Sequence, residues 1–117
     1  MADTFQMTSA DSPPSTALLR LEGRLDARNA QTLVQECQRL RDAGRSRIVV
    51  NLSRVAFVAS SGVGSLLALT EMLNDANGKL VLVDISDAVR SVVELLNLTQ
   101  FLNLQTSEAE AFQTIGV

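Results

Sequence analysis

The stretch Ile48–Leu73, IVVNLSRVAFVASSGVGSLLALTEML, does most to limit the folds open to this chain. It begins with a short β-rich apolar run, Ile48-Val49-Val50, which predicts a buried strand. A linker bearing Val55, Phe57 and Val58 follows, and then a loop of small residues from Ala59 to Gly64. From Val63 onward apolar residues recur at helical spacing, at Val63, Leu66, Leu67 and Leu73. A strand thus feeds a loop that delivers Ser60 and Ser61 to a helix N-terminus. Unpaired amides there, together with the positive end of the helix dipole, favour an anionic group such as a phosphate.

The rest of the chain repeats the alternation. Residues Thr4 to Thr8 alternate polar and apolar, which predicts a half-buried strand; Ser9 to Ser15, SADSPPS, is turn chemistry. Thr16 to Glu22 predicts a second strand, returning antiparallel. Asp26 is placed to cap a helix running to about Ala43, with an inward stripe of Ala30, Leu33, Val34, Cys37 and Leu40 and Gly44 as its stop. Leu80 to Val83 is another buried run, and Ser86 opens a helix striped by Val89, Val92, Val93 and Leu96, with Asn97 at its left-handed end. Phe101 to Leu104 reads as an edge strand, and Ser107 with Glu110 makes a capping box for a last helix through Phe112. The order β-β-α-β-α-β-α-β-α predicts an α/β fold: a mostly parallel sheet of about five strands, an N-terminal antiparallel hairpin and four helices. Ligand sites in such sheets lie beyond the carboxyl ends of the strands, where the Ala59–Gly64 loop falls.

Composition narrows the function. The 117 residues make one domain over 1–117, a hairpin at 4–22 and a core at 23–115, with an ordinary 46% hydrophobic and 20% charged content. A net charge of −3 argues against a nucleic-acid partner. No apolar run is long enough to cross a bilayer, and the first residues lack the basic and apolar regions of a signal peptide, so direct membrane insertion is not expected. The single cysteine, Cys37, cannot form an internal disulfide and sits on an apolar stripe, which suits a cytoplasmic core residue. There is no histidine, so histidine-based catalytic triads and histidine zinc sites are absent, and Lys79 is the only lysine. No catalytic residue, cofactor or metal ligand is expected.

Three segments, LEGRLDARNA (Leu21 to Ala30), VNLSRVAFVASSGVGSLLAL (Val50 to Leu69) and KLVLVDISDAVRSVVELLNL (Lys79 to Leu98), resemble the STAS domain of bacterial anti-sigma factor antagonists. The resemblance implies a protein-binding module, not an enzyme. Its partner would be an anti-sigma factor serine kinase, which phosphorylates the antagonist at a serine matching Ser60; the unmodified form binds the kinase and frees the sigma factor. A serine phosphatase would reset the switch. Two positions depart from the family pattern: Ala59 stands where an aspartate usually precedes the phosphoacceptor, and Asn51 where a second acidic residue is usual. The alternative within the family is a non-switching subunit that scaffolds a membrane-transport ATPase.

Serine is also a preferred N-cap, so Ser61 is expected to close the helix while Ser60 is modified. Gly62 and Gly64 allow a tight start to the helix or close approach by a partner. Projected as a helix, Val63, Leu66, Leu67, Thr70 and Leu73 face inward, and Ser61, Gly64, Ser65, Ala68, Met72 and Asp75 face outward. That outer strip is poor in long charged side chains. Ser61, Gly62, Gly64, Ser65, Ala68 and Met72 are therefore the expected partner-binding residues, contiguous with Ser60.

Overall fold

Two segments pair antiparallel at the start of the chain: β1 (Phe5–Ala10) and β2 (Thr16–Leu25), in register from Phe5 opposite Gly23 to Ala10 opposite Leu18. The structure, a computed structural model, describes residues 5–10 and 12–115. The Thr4 start expected for β1 and Asp11 of the turn lie outside the described residues. Ser9 and Ala10, expected in the turn, continue the strand, and β2 runs three residues past Glu22. Between the strands Thr16 N–H donates to the Pro13 carbonyl at 3.2 Å and Ser15 takes a positive φ of 70°.

The remaining elements are α1 (Ala27–Asp42), β3 (Arg47–Val58), α2 (Ser60–Asp75), β4 (Lys79–Val83), α3 (Asp87–Leu95), a 3-10 turn (Thr99–Phe101), β5 (Leu104–Gln105) and α4 (Glu108–Thr114). The sheet is five-stranded in the order β1-β2-β3-β4-β5, and every pair after the first is parallel. Each parallel crossover steps one strand in the same direction with the same hand, so α1, α2 and α3 land on one face. There Leu33 and Cys37 of α1, Leu66 and Leu73 of α2, and Val89 and Val93 of α3 share a core with Leu19, Val50 and Leu82 of the sheet. On the opposite face α4 covers a smaller cluster of Leu18, Val49, Val81 and Val83 with Ala111 and Ile115. No helix among the described residues is long and apolar enough to cross a membrane.

Helix ends follow local chemistry. Asp26 accepts from Asn29 N–H, Ser86 from Val89 N–H and Ser107 from Glu110 N–H, so α1, α3 and α4 each have a side-chain cap. Gly44, Asn77 and Asn97 take positive φ just beyond α1, α2 and α3, and the next residue donates back to Leu40, Leu73 and Val93 respectively. This doubled closure satisfies carbonyls that a helix end otherwise leaves open.

β3 departs from the sequence reading. It is one strand of twelve residues, so the expected linker after Val50 is strand. The register with β2 slips between Arg20 and Glu22 and again between Gly23 and Arg24, each slip giving β3 one residue more than its partner. These bulges put Leu52, Val55 and Val58 inward at intervals of three, which destroys the two-residue alternation of a plain strand. Two other expectations fail nearby. Phe101 to Leu104 is mostly not strand: Phe101 ends the 3-10 turn and only Leu104 and Gln105 pair with β4. Leu96 lies just past α3 and is 39% exposed, where the stripe had it inward.

Asn51 lies mid-strand and ties the sheet to α4. Its Oδ1 accepts from Ser53 N–H (2.9 Å) and Oγ–H (2.7 Å), which leaves Nδ2 to donate to Glu108 Oε2 at 2.8 Å. Arg20 meets the same carboxylate with both Nε (2.9 Å) and Nη2 (2.8 Å). The hydrogen bond from Arg20, helped by the one from Asn51, holds the Glu108 carboxyl below the usual carboxylate range against a desolvation that pushes it up. An acid at position 51 would set two carboxylates against each other, so asparagine is the residue this contact requires.

A second fixed contact is made by Gly62. A Cβ there would stand 2.5 Å from the Leu25 carbonyl oxygen, whereas one on Gly64 would meet nothing within 4 Å.

Asn51→Asp should destabilise the protein by about 1–2 kcal/mol at neutral pH, the worth of a lost hydrogen bond to a partly exposed charge plus repulsion. Because the Glu108 pKa is depressed on folding, its contribution is present above the unfolded carboxylate range and fades as pH falls through the folded value. The deficit should therefore shrink in acid; chemical denaturation of both proteins across pH tests it, and an equal stability at pH 7 would refute the tie.

Gly62→Ala should cost about 1–3 kcal/mol as an overpacked contact with backbone. Gly64→Ala should be neutral or stabilise by up to about 1 kcal/mol, the helix preference of alanine over glycine. Thermal melts of the two variants read the contrast directly.

Candidate functional site

The carboxyl ends of β2 and β3 lie side by side, Leu25 opposite Val58, and the ladder extends one bond further from Ala59 N–H to the Leu25 carbonyl at 3.1 Å. At that point the backbone turns into α2. Ala59 holds the N-cap position with φ −83° and ψ 158°, and its carbonyl accepts from Gly62 N–H (2.9 Å) and Val63 N–H (3.1 Å). The helix begins at Ser60, at the serine pair expected at its N-terminus and before the apolar stripe that opens at Val63, and neither serine caps it. The expectation for Ser61 is thus corrected: it lies inside the first turn, and the cap is an alanine with no side-chain acceptor to offer.

This makes the start of α2 unlike the other three. It has no side-chain cap and no acidic residue in its first turn. The amides of Ser60 and Ser61 lie before the first residue with an intrahelical acceptor, so among the described residues the partial positive charge of the terminus meets no capping side chain and no first-turn acid. Ser60 and Ser61 are both exposed. Ser60 makes no side-chain hydrogen bond among the described residues, so its hydroxyl is presented without a partner or a base. An aspartate at position 59 would be placed to cap this helix.

The outer strip is only partly as expected. Gly64 and Ala68 are exposed, and Ser65 is half-buried with its hydroxyl donating to the Ser61 carbonyl at 3.1 Å. Gly62, expected on the partner-binding strip, is buried against Leu25, where it serves packing. Met72 is half-buried and packs on the core from the margin of the strip. The inward face is centred on Val63, Leu66, Leu69, Thr70 and Leu73, with Leu67 only partly buried, so the helix is rotated slightly from its projection. Glycine at 62 in the series 62, 66, 69, 73 was the signal for that rotation.

Phe57, placed in a linker by sequence, was not expected at the surface of this end of the sheet. It is 39% exposed, two residues before the cap, and the Arg24 guanidinium lies 4.0 Å from its ring centroid. An aromatic plate held by a cation is thus exposed at the carboxyl end of β3, near the start of α2. Cys37 takes no part: burial pushes its thiol up to about 12, with the Glu36 charge adding to the shift.

The chain matches the STAS domain family over residues 7–111. It is 31% identical over 97 residues, 80% of this chain and 84% of the relative, to BtrV of Bordetella bronchiseptica, a protein carrying the name anti-sigma factor antagonist. Among solved structures it is similar to the anti-sigma factor antagonist SpoIIAA in its unphosphorylated form, with a TM-score of 0.79 and 25% identity over 96% of this chain and 98% of that one. It superposes also on the phosphorylated form of SpoIIAA from Bacillus (TM-score 0.72, 24% identity, 94% and 99% of the two chains). An anti-sigma factor antagonist from Mycobacterium paratuberculosis shares the fold with a TM-score of 0.83 and 23% identity, over 98% and 97% of the two chains. With a family match across most of its length and a relative 31% identical over 80% of it, this chain belongs to the STAS domain family.

Proposed function

We propose that this protein is an anti-sigma factor antagonist: its α2 face docks on an anti-sigma factor serine kinase, and phosphorylation of Ser60 ends the docking. The observation that carries the reading is the start of α2, where an exposed serine opens a helix that has neither cap nor acid in its first turn. The names of its relatives support the partner class, and SpoIIAA, known in both phosphorylated and unphosphorylated forms, supports the switch. The protein would be the substrate of the kinase and not a catalyst; Ser60 makes no side-chain hydrogen bond among the described residues, and the chain has no histidine to serve as its base. A serine phosphatase would restore the binding form.

Physical chemistry says where such a switch acts. A phosphate brings about −1.5 to −2 charges and three acceptor oxygens. At the first residue of α2 it lies beside unpaired amides and the positive dipole end, a placement worth about 0.3–1 kcal/mol in its favour. The fold therefore tolerates the modification. What changes is the surface: a strip of Gly64, Ser65 and Ala68 with no long charged side chain acquires a dianion at one end, and a partner packed there must desolvate it. Gly64 fits this role because nothing in the fold requires glycine at that position.

Treatment with a cognate anti-sigma factor serine kinase and ATP, followed by mass spectrometry, should place the phosphate on Ser60 alone, and the modified protein should melt at or slightly above the unmodified temperature while losing kinase affinity. A phosphate on Ser61 with Ser60 untouched would overturn the assignment. A protein that takes no phosphate, with Ser60→Ala fully functional in the cell, would instead mark a fixed scaffold.

Ala68→Arg should weaken kinase binding by about 2 kcal/mol, the scale of a central interface position, with stability changed by no more than about 0.5 kcal/mol. Gly64→Ala should lower affinity while leaving stability equal or higher. Calorimetric titration beside thermal melts checks both, and undiminished affinity in the two variants would place the interface elsewhere.

A further inference from the structure

The sheet has two unlike edges. β5 is two residues long, with the 3-10 turn before it and α4 after it. β1 is six residues, FQMTSA, paired to β2 without a register shift, and no other described strand lies beyond it. Exposed edges are ordinarily blunted by charge, proline, a bulge or a covering element, because their free N–H and C=O groups invite another strand. β1 has none of the first three: its six side chains are uncharged, include no proline and sit in unbroken register.

We infer that β1 is a self-association edge, along which two copies of this chain pair antiparallel across a two-fold axis. Directly opposed residues in antiparallel strands share a face, so two copies can pair only residues of like parity. Met7 then meets Met7 and Phe5 meets Ser9 on one face, with Gln6 against Thr8 on the other. No pair opposes like charges, although each chain carries a net charge of −3. Phe5 and Met7 are half-buried at the margin of the main core. Pairing sets a second Phe5 and Met7 beside them and continues the apolar face across the axis, which a polar peptide on the same edge would not do. Gln6 and Thr8 are exposed on the other face, where the groove toward Arg20, Ser53 and Arg54 opens. β2 separates β1 from β3, the strand that delivers Ser60, so the pairing leaves α2 uncovered in both copies and stands apart from the proposed switch.

The test is sedimentation and light scattering of the full chain up to about 1 mM, the weak end of specific association. Wild type should show a concentration-dependent dimer. The double variant Gln6→Lys with Thr8→Lys places lysine opposite lysine whether 6 meets 8, 6 meets 6 or 8 meets 8, and both positions are exposed, so it should be monomeric while still folded, with a somewhat lower melt because position 8 lies opposite Arg20 in the β1–β2 ladder. Amide exchange of wild type supplies a readout that needs no variant: protection of β1 should rise with concentration. A wild type that stays monomeric throughout, a dimer that survives in the folded double variant, or dimerisation without added protection in β1 would each overturn the inference.

Discussion

The approach of Gly62 to the Leu25 carbonyl fixes where α2 starts, and much else in the molecule depends on that placement. Leu25 is the last residue of β2, and its oxygen also accepts from Ala59, so one carbonyl meets both the end of the β3 ladder and the first turn of the helix. The glycine lets the helix begin directly at the strand end with no loop between them. As a result Ser60 sits one residue past the N-cap, directly at the junction of strand and helix. Sites on such junctions are held by the packing of the elements on either side of them.

Helix dipoles give this end of the sheet its character. The parallel crossovers bring the N-termini of α1, α2 and α3 to the carboxyl ends of the strands. Asp26 closes the first of these and Ser86 the third, the latter also donating to the Val55 carbonyl at 2.6 Å. The middle terminus alone is left with an alanine. An uncapped helix forgoes on the order of 1 kcal/mol. A phosphate on Ser60 would bring acceptors to the groups that the chain leaves unsatisfied, which connects the missing cap to the proposed modification.

The opposite face of the sheet is organised by charge and not by apolar contact alone. Glu108, in the first turn of α4, receives Arg20 from β2 and Asn51 from β3, and so anchors a seven-residue helix that buries little apolar surface of its own. Asn51, one of the two expected departures, has a contact of its own in this chain: its amide nitrogen is committed to a carboxylate. Ala59 has no such compensating contact. The two departures are therefore of different kinds, one belonging to the scaffold and one to the site.

The sequence by itself determined the element order, the parallel sheet and the helix boundaries set by local chemistry. Asp26, Ser86 and Ser107 act on amides three residues away, and Gly44 and Asn97 close helices through their own φ, so short windows contain the whole cause. The place of Ser60 at a helix start was equally legible, from small residues between an apolar run and a helical stripe. Tertiary structure decided the rest. The bulges of β3 exist only relative to β2, and they turned a strand into an apparent linker by spacing Leu52, Val55 and Val58 three apart. Gly62 reads as a partner contact until Leu25, thirty-seven positions away, is brought against it. The exposed Phe57 and the commitment of Asn51 to Glu108 likewise depend on strands and a helix distant in sequence. Local rules fix what a residue does to its own backbone; which face it shows to the rest of the molecule depends on what the sheet places beside it.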